Sequence, residues 1–136
     1  MLRLRSLFRL LPLFLLVLAA SCQRRRAVPI PAMKKLEGTW LLSREENSED
    51  ILVYRPNTYA FPPSRGRTGF AIKPYGRFEQ FDIAPTDGLA GRPGAWTIDR
   101  GTHLRVNLTE GPDPSYTLEI VSLDTAKRIL KVRRLP

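Results

Sequence analysis

The sequence predicts an all-β domain, a small eight-stranded antiparallel up-and-down barrel, with a flattened β-sandwich as the alternative. Three observations lead there. From Leu36 onward, short runs rich in Val, Ile, Thr, Tyr and Phe are separated by clusters of Gly, Pro, Asn and Asp, the pattern of strands and turns. Within the later runs apolar and polar residues alternate, as in Leu104, Val106 and Leu108 against Arg105, Asn107 and Thr109, so that one face is buried and the other wet. The domain also holds no amphipathic helix of useful length; Lys34 and Lys35 begin at most a short helical turn. Eight short strands in about 100 residues leave many sheet edges to protect, and closure into a barrel removes them.

Strands are expected over residues 37–44, 50–55, 67–73, 76–83, 94–99, 102–108, 115–122 and 128–134. Trp96 and Ile98 alternate with Thr97 and Asp99, and Tyr116, Leu118 and Ile120 alternate with Thr117, Glu119 and Val121. Most connections are short, so sequence neighbours should pair as antiparallel hairpins. Asp99, Arg100 and Gly101 form one tight turn, in which the glycine is free to take a positive φ, and residues 124–127 form another. Only the linker over residues 56–66 is notably longer.

Gly38, Thr39 and Trp40 open the first strand, and this tripeptide is similar to the Gly-x-Trp motif that opens the lipocalins and related calycins. The resemblance extends in layout from Leu36 to Pro136 and implies a lipocalin-like β-barrel domain over residues 36–136. It further implies that Trp40 closes one end of the barrel and that a basic side chain near the last strand, Arg133 or Arg134, packs over it. Arg134 is in phase with Leu130 and Val132. A barrel of this kind holds a small apolar or amphiphilic ligand in its mouth, with Phe70, Ile72, Phe78, Phe81, Trp96, Leu104, Val106, Tyr116 and Leu118 as the candidate lining. An eight-stranded barrel is also small enough to be filled by its own side chains. The alternative is therefore a filled core and a non-catalytic scaffold or protein-interaction module of the cell envelope.

The first 21 residues read as an address. Arg3, Arg5 and Arg9 precede an apolar stretch, and Leu10 to Gln23 carry no charge. That span of 14 residues is shorter than the roughly 20 a bilayer-crossing helix needs, so it reads as a secretory signal. Leu18, Ala19, Ala20, Ser21 and Cys22 then resemble the lipobox of bacterial lipoprotein signal peptides. The resemblance implies cleavage before Cys22 and acylation of its thiol with diacylglycerol and of its new amine with a fatty acid such as palmitate. Two or more acyl chains anchor stably where one does not. Gln23 stands where an aspartate would favour inner-membrane retention, so the expected location is the outer membrane of the cell envelope, facing the periplasm. Residues 22–35 form the tether: Arg24, Arg25 and Arg26 beside the lipid attract anionic headgroups, and Pro29 and Pro31 stiffen the spacer.

Charge and chemistry narrow the function classes. Of the 22 bases, three leave with the signal and three are Arg24, Arg25 and Arg26, which leaves 16 against 13 acids from Ala27 onward. A domain so nearly balanced gives no reason to expect nucleic acid as a partner. Cys22 is the one cysteine and, once acylated, leaves no thiol for a disulfide, a metal or a nucleophile. His103 is the one histidine and is in phase with the outward Arg105 and Asn107, so no catalytic residues, cofactor or metal site are expected. Glu45, Glu46, Glu49 and Asp50 cluster around Asn47 at spacings that match no calcium loop. The most unusual stretch is Tyr54 to Arg67, where arginines, aromatics and prolines mix. Arg55, Tyr59, Phe61, Arg65 and Arg67 are the candidate rim residues for an envelope protein partner, unless the aromatics cap the barrel and the arginines only solvate it.

Overall fold

The structure, a computed structural model, describes residues 34–83 and 89–136. The signal, Cys22 and the tether up to residue 33 lie outside the described residues. Eight strands form: β1 (Gly38–Leu42), β2 (Ile51–Pro56), β3 (Gly69–Ile72), β4 (Arg77–Ile83), β5 (Leu89–Asp99), β6 (His103–Leu108), β7 (Ser115–Asp124) and β8 (Ile129–Arg134). Each falls on an expected run. β5 starts at Leu89 rather than at Gly94, because pairing with β4 continues from Phe78↔Gly94 through Glu79↔Pro93 to Ile83↔Leu89 and overrides the loop-like composition of its first half. A single 3-10 turn, Arg44–Glu46, lies between β1 and β2.

The strands close into a barrel in the order β1-β2-β8-β7-β6-β5-β4-β3, every pair antiparallel. From β3 to β8 sequence neighbours are spatial neighbours, the up-and-down arrangement. At the seam β1 sits between β2 and β3, so β2 pairs with β8, and β2 and β3 run in the same direction on either side of β1. The chain from β2 to β3 must therefore return along the whole of β1. It leaves where the Asn57 N–H donates to the Thr39 carbonyl at 3.1 Å and rejoins where the Leu42 N–H donates to the Thr68 carbonyl at 2.9 Å. With the interior filled, residues 57–68 pass outside β1 as a strap. Two residues of outward phase are covered on this side: Ala71, in register with Thr39 of β1, is 5% exposed, and Val53, bonded to Ser43 and Asn47 around the 3-10 turn, is 3% exposed. Gly69 permits the close seam, since a Cβ there would collide with the Trp40 carbonyl oxygen.

Alternation fills the barrel axis. Trp40, Tyr54, Phe70, Ile72, Phe78, Trp96, Leu104, Val106, Leu108, Leu118, Leu130 and Val132 face inward, and Leu36 enters from the turn before β1 to complete one buried cluster. Phe81 does not belong to it. Phe81 lies three positions after Phe78, an odd offset, and a period of two sends the one outward and the other in.

The registers define two unlike ends. One gathers residues 34–37 and the turns at 73–76, 99–102 and 124–128. There Trp40, 1% exposed, donates its indole N–H to the Leu36 carbonyl at 2.8 Å, and Trp96 donates to the Lys73 carbonyl at 2.9 Å. This is the closed end. The other end, the mouth, gathers the 3-10 turn, the end of the strap, the turn between β6 and β7, and the C-terminus.

Candidate functional site

The mouth is built from the inward positions that follow the apolar ones along four strands. After Phe78, β4 presents Gln80 and Asp82; across from them β5 presents Arg92, β7 Tyr116 and β8 Arg134. The Tyr116 hydroxyl donates to Gln80 Oε1 at 2.6 Å, Gln80 Nε2 donates to Asp82 Oδ1 at 2.9 Å, and Arg92 Nε meets Asp82 Oδ2 at 2.5 Å. Arg92 also donates to the carbonyls of Glu110 and Pro112 at 3.0 and 2.9 Å, which ties the β6–β7 turn to the wall. Arg134 lies 4.8 Å above the Tyr116 ring and 3.6 Å from Asp113. A cavity of about 190 Å³ opens among Leu52, Tyr54, Phe70, Gln80, Asp82, Tyr116, Leu118 and Arg134.

The electrostatics of the mouth favour neutral tyrosines and an ionised aspartate. Burial pushes the Tyr54 hydroxyl up to about 12, and burial with Tyr54 nearby raises Tyr116 as well. Burial alone would raise Asp82, but hydrogen bonds from Gln80 and Arg92 and the Arg92 charge outweigh it and hold Asp82 below the usual carboxylate range. Such a rim can accept and donate hydrogen bonds to a small polar molecule. It presents no nucleophile paired with a base. Among the described residues no group of three His, Cys, Asp or Glu side chains is placed to hold a metal.

Of the residues expected to line a ligand, Phe70, Tyr116 and Leu118 reach the mouth, with Phe81 contributing from the outer side beside Gly69. Ile72, Phe78, Trp96, Leu104 and Val106 pack in the core. Gln80, Asp82 and Arg92 went unselected in the sequence because they are polar, although extending the alternation from Phe78 would have pointed Gln80 and Asp82 inward.

The residues expected to close the barrel separate. Trp40 closes one end, but Arg133 and Arg134 lie at the other, since β8 ends at the mouth. Arg133 binds Asp50 and also Glu119, the latter at 2.8 Å. The base from the C-terminal hairpin that shares a crevice with Trp40 is Arg128, just before β8; this crevice of about 340 Å³ is also lined by Lys34, Lys35, Glu37 and Asp124.

The strap is a wall device rather than a rim loop. Tyr59 and Phe61 pack edge to face at 5.0 Å. Arg55 lies 4.5 Å over Tyr59 and forks onto Glu46 at 2.8 and 2.6 Å; Arg67 lies 4.5 Å over Phe61 and forks onto Glu45 at 3.0 and 2.8 Å. Arg67, 7% exposed, donates to the Leu42 and Pro62 carbonyls too. Thus two acids of the 3-10 turn and two arginines clasp an aromatic pair. The Arg67 hydrogen bond, first among the causes, takes Glu45 down to about 2, and Arg55 lowers Glu46. Arg65 stands exposed on the same strap. His103 lies outside the barrel with Nδ1 3.1 Å from the Thr102 hydroxyl. Comparison with family models, with curated proteins and with solved structures finds no match to this chain.

Proposed function

We propose that this chain is a lipid-anchored lipoprotein of the cell envelope, held through Cys22 in the outer membrane facing the periplasm, whose lipocalin-like barrel is a filled, non-catalytic interaction module. The observation that carries the module reading is the packed axis. Thirteen buried side chains run from Leu36 to Leu108 in one cluster. The cavity inside the mouth, about 190 Å³, is smaller than the roughly 300 to 1,000 Å³ of ordinary ligand pockets, and the larger groove of about 460 Å³ beside Arg134 is lined by Arg105, Asn107 and Thr117 of outward phase on β6 and β7. Function then resides on the surface, and the surface opposite the tether is the mouth.

A second reading has one observation in its favour. The polar mouth, with Tyr116, Gln80 and Arg134 converging on the cavity, suits a small polar or anionic molecule better than the apolar or amphiphilic ligand the aromatic composition suggests. Native mass spectrometry of the purified chain separates the two. The module reading expects the bare mass; a stoichiometric small molecule that survives gentle desolvation and is lost on Tyr116→Phe would replace it with the ligand reading. The anchor has its own test. Cys22→Ser is expected to shift the protein out of the membrane fraction while the barrel stays folded, and unchanged retention would sink the lipoprotein assignment.

A further inference from the structure

The closed end carries charge and an aromatic that the fold itself does not use. Lys34, Lys35, Arg77, Arg100, Lys127 and Arg128 all sit in the turns or strand starts gathered there, and all are exposed. None pairs with a carboxylate among the described residues. The acids at this end are largely occupied. Glu79 is bound by Lys73 at 2.5 Å, Asp99 by Arg105 at 2.9 Å, and Asp124 accepts the backbone N–H groups of Ala126 and Lys127 at 3.0 and 2.9 Å. Glu37 and Asp124, the latter bonded only to neutral backbone groups, are left as counter-charges to six bases, so the end is cationic.

At the tip of the β3–β4 hairpin, Tyr75 is 97% exposed with φ at 61°. An L side chain is strained in that left-handed region, which glycine or asparagine occupies at lower cost. Arg100 and Arg128 are strained in the same way, with φ at 53° and 52°. Three turns at one end thus hold an aromatic or cationic side chain where the backbone would be better served by another residue. In two of these hairpins the following glycine, Gly76 or Gly101, also has positive φ, the paired turn that suits twisted strands, and Glu49 and Asp113 take φ of 49° at the other end, so the closed end is marked by the side chains its turns display rather than by the strain alone.

We propose that the closed end is a membrane-docking face: its lysines and arginines lie on the headgroups of an anionic lipid surface and Tyr75 sits in the interface. The chain reaches β1 at this end, through residues 34–37, and Arg24 to Arg26 precede it in sequence, so the anchor and the cationic face act on the same surface. Each Lys or Arg near an anionic surface strengthens association about five-fold, and tyrosine is favoured at headgroup depth. Docked this way, the barrel turns its mouth toward whatever it meets beyond the membrane. The inference rests on the anchored reading above, but its test is independent of it.

The full chain bearing Tyr75→Trp, purified in detergent, is reconstituted into vesicles of brominated phosphatidylglycerol or of brominated phosphatidylcholine. The added indole is expected to be quenched in the first and not the second, over the small background from buried Trp40 and Trp96. Quenching should be lost in about 1 M salt, where the screening length falls to about 3 Å. Lys34→Gln with Lys35→Gln should lower the docked-to-free ratio about 25-fold, two charges' worth, with the near-ultraviolet spectrum of the core unchanged. Equal quenching on both lipids, or none on either, overturns the docking face, as does preference for a soluble nucleic acid over the vesicles. The mass of the purified chain reads acylation separately. An unacylated chain sinks the anchor, while its quenching on added phosphatidylglycerol vesicles still decides the docking.

Discussion

At the closed end the interior is sealed by hydrocarbon and two indoles whose N–H groups bond to backbone carbonyls of Leu36 and Lys73, while the outer surface is left with unpaired positive charge. At the mouth the arrangement is reversed. The interior ends in a polar chain, Tyr116 to Gln80 to Asp82 to Arg92, and three of the arginines outside are matched, Arg67 to Glu45, Arg133 to Asp50 and Glu119, and Arg134 to Asp113, although Arg44 and Arg65 stay exposed. Sealing a barrel against water thus separates from what the end shows to its surroundings. Apolar packing at the closed end frees its surface charges from structural duty, whereas at the mouth the charges are part of the wall. That difference predicts where substitutions will unfold the protein and where they will only change what it touches.

The largest effect belongs to Trp40→Ala. Trp40 is among the largest fully buried side chains, and truncating a core Trp costs about 3 to 5 kcal/mol. Urea titration reads it directly. A loss under about 1 kcal/mol would mean that the turn at Leu36, and not the indole, seals that end.

Arg92→Ala should cost less, about 1 to 3 kcal/mol, because a half-exposed Asp82 and two carbonyls lose a donor without opening a large void. Arg67→Ala should fall in the same range, since its guanidinium is buried and bonds to Glu45, Leu42 and Pro62. Arg65→Ala, two residues away and exposed, should stay within about 0.5 kcal/mol. Equal losses at 65 and 67 would contradict the clasp.

Acid should loosen the clasp before it touches the closed end. The Glu45 carboxyl titrates at about 2 rather than 4.5 because Arg67 binds its charged form. A group whose pKa is depressed by folding stabilises above its unfolded value, and that contribution is lost as pH falls from 4.5 toward about 2. Glu46 titrates in the same direction through Arg55. The urea midpoint should therefore drop across this window, and Glu45→Gln should flatten the drop. An identical pH profile in that variant would show that other carboxylates govern acid unfolding.

How much of this was legible from sequence follows the range of each interaction. The eight strands are local, and runs such as Leu104, Val106 and Leu108 announced them. Phe81 is out of phase with Phe78, so it stands outside the core cluster and borders the mouth cavity from the outer side, which residue type alone does not tell. The exchange of β1 between β2 and β3 is non-local: nothing in the sequence near Trp40 says whether its second neighbour is β8 or β3, although the long linker after Pro56 was the sign of something other than a hairpin. For the same reason Arg128, not Arg133 or Arg134, came to share the Trp40 crevice; which base reaches the first strand depends on register around the whole barrel. The clasp of Arg55 and Arg67 on Glu46 and Glu45 was written as two separate charged stretches, and only the strap's path over β1 brings them together.

The smallest expected change in stability has the opposite sign and tests the comparison most sharply. Tyr75→Asn places at the β3–β4 tip a residue that tolerates φ near 61°, and so should stabilise the barrel by roughly 0.5 to 1 kcal/mol, a fraction of the left-handed penalty. The phenol ring, 97% exposed, gives up no packing in exchange. The same variant should weaken docking on phosphatidylglycerol vesicles. A gain in stability with a loss of docking would establish that the β3–β4 tip sacrifices backbone comfort for an external contact. A loss of stability instead would show that Tyr75 serves the hairpin after all, and the strain at Arg100 and Arg128 would then have to be explained by the turns themselves.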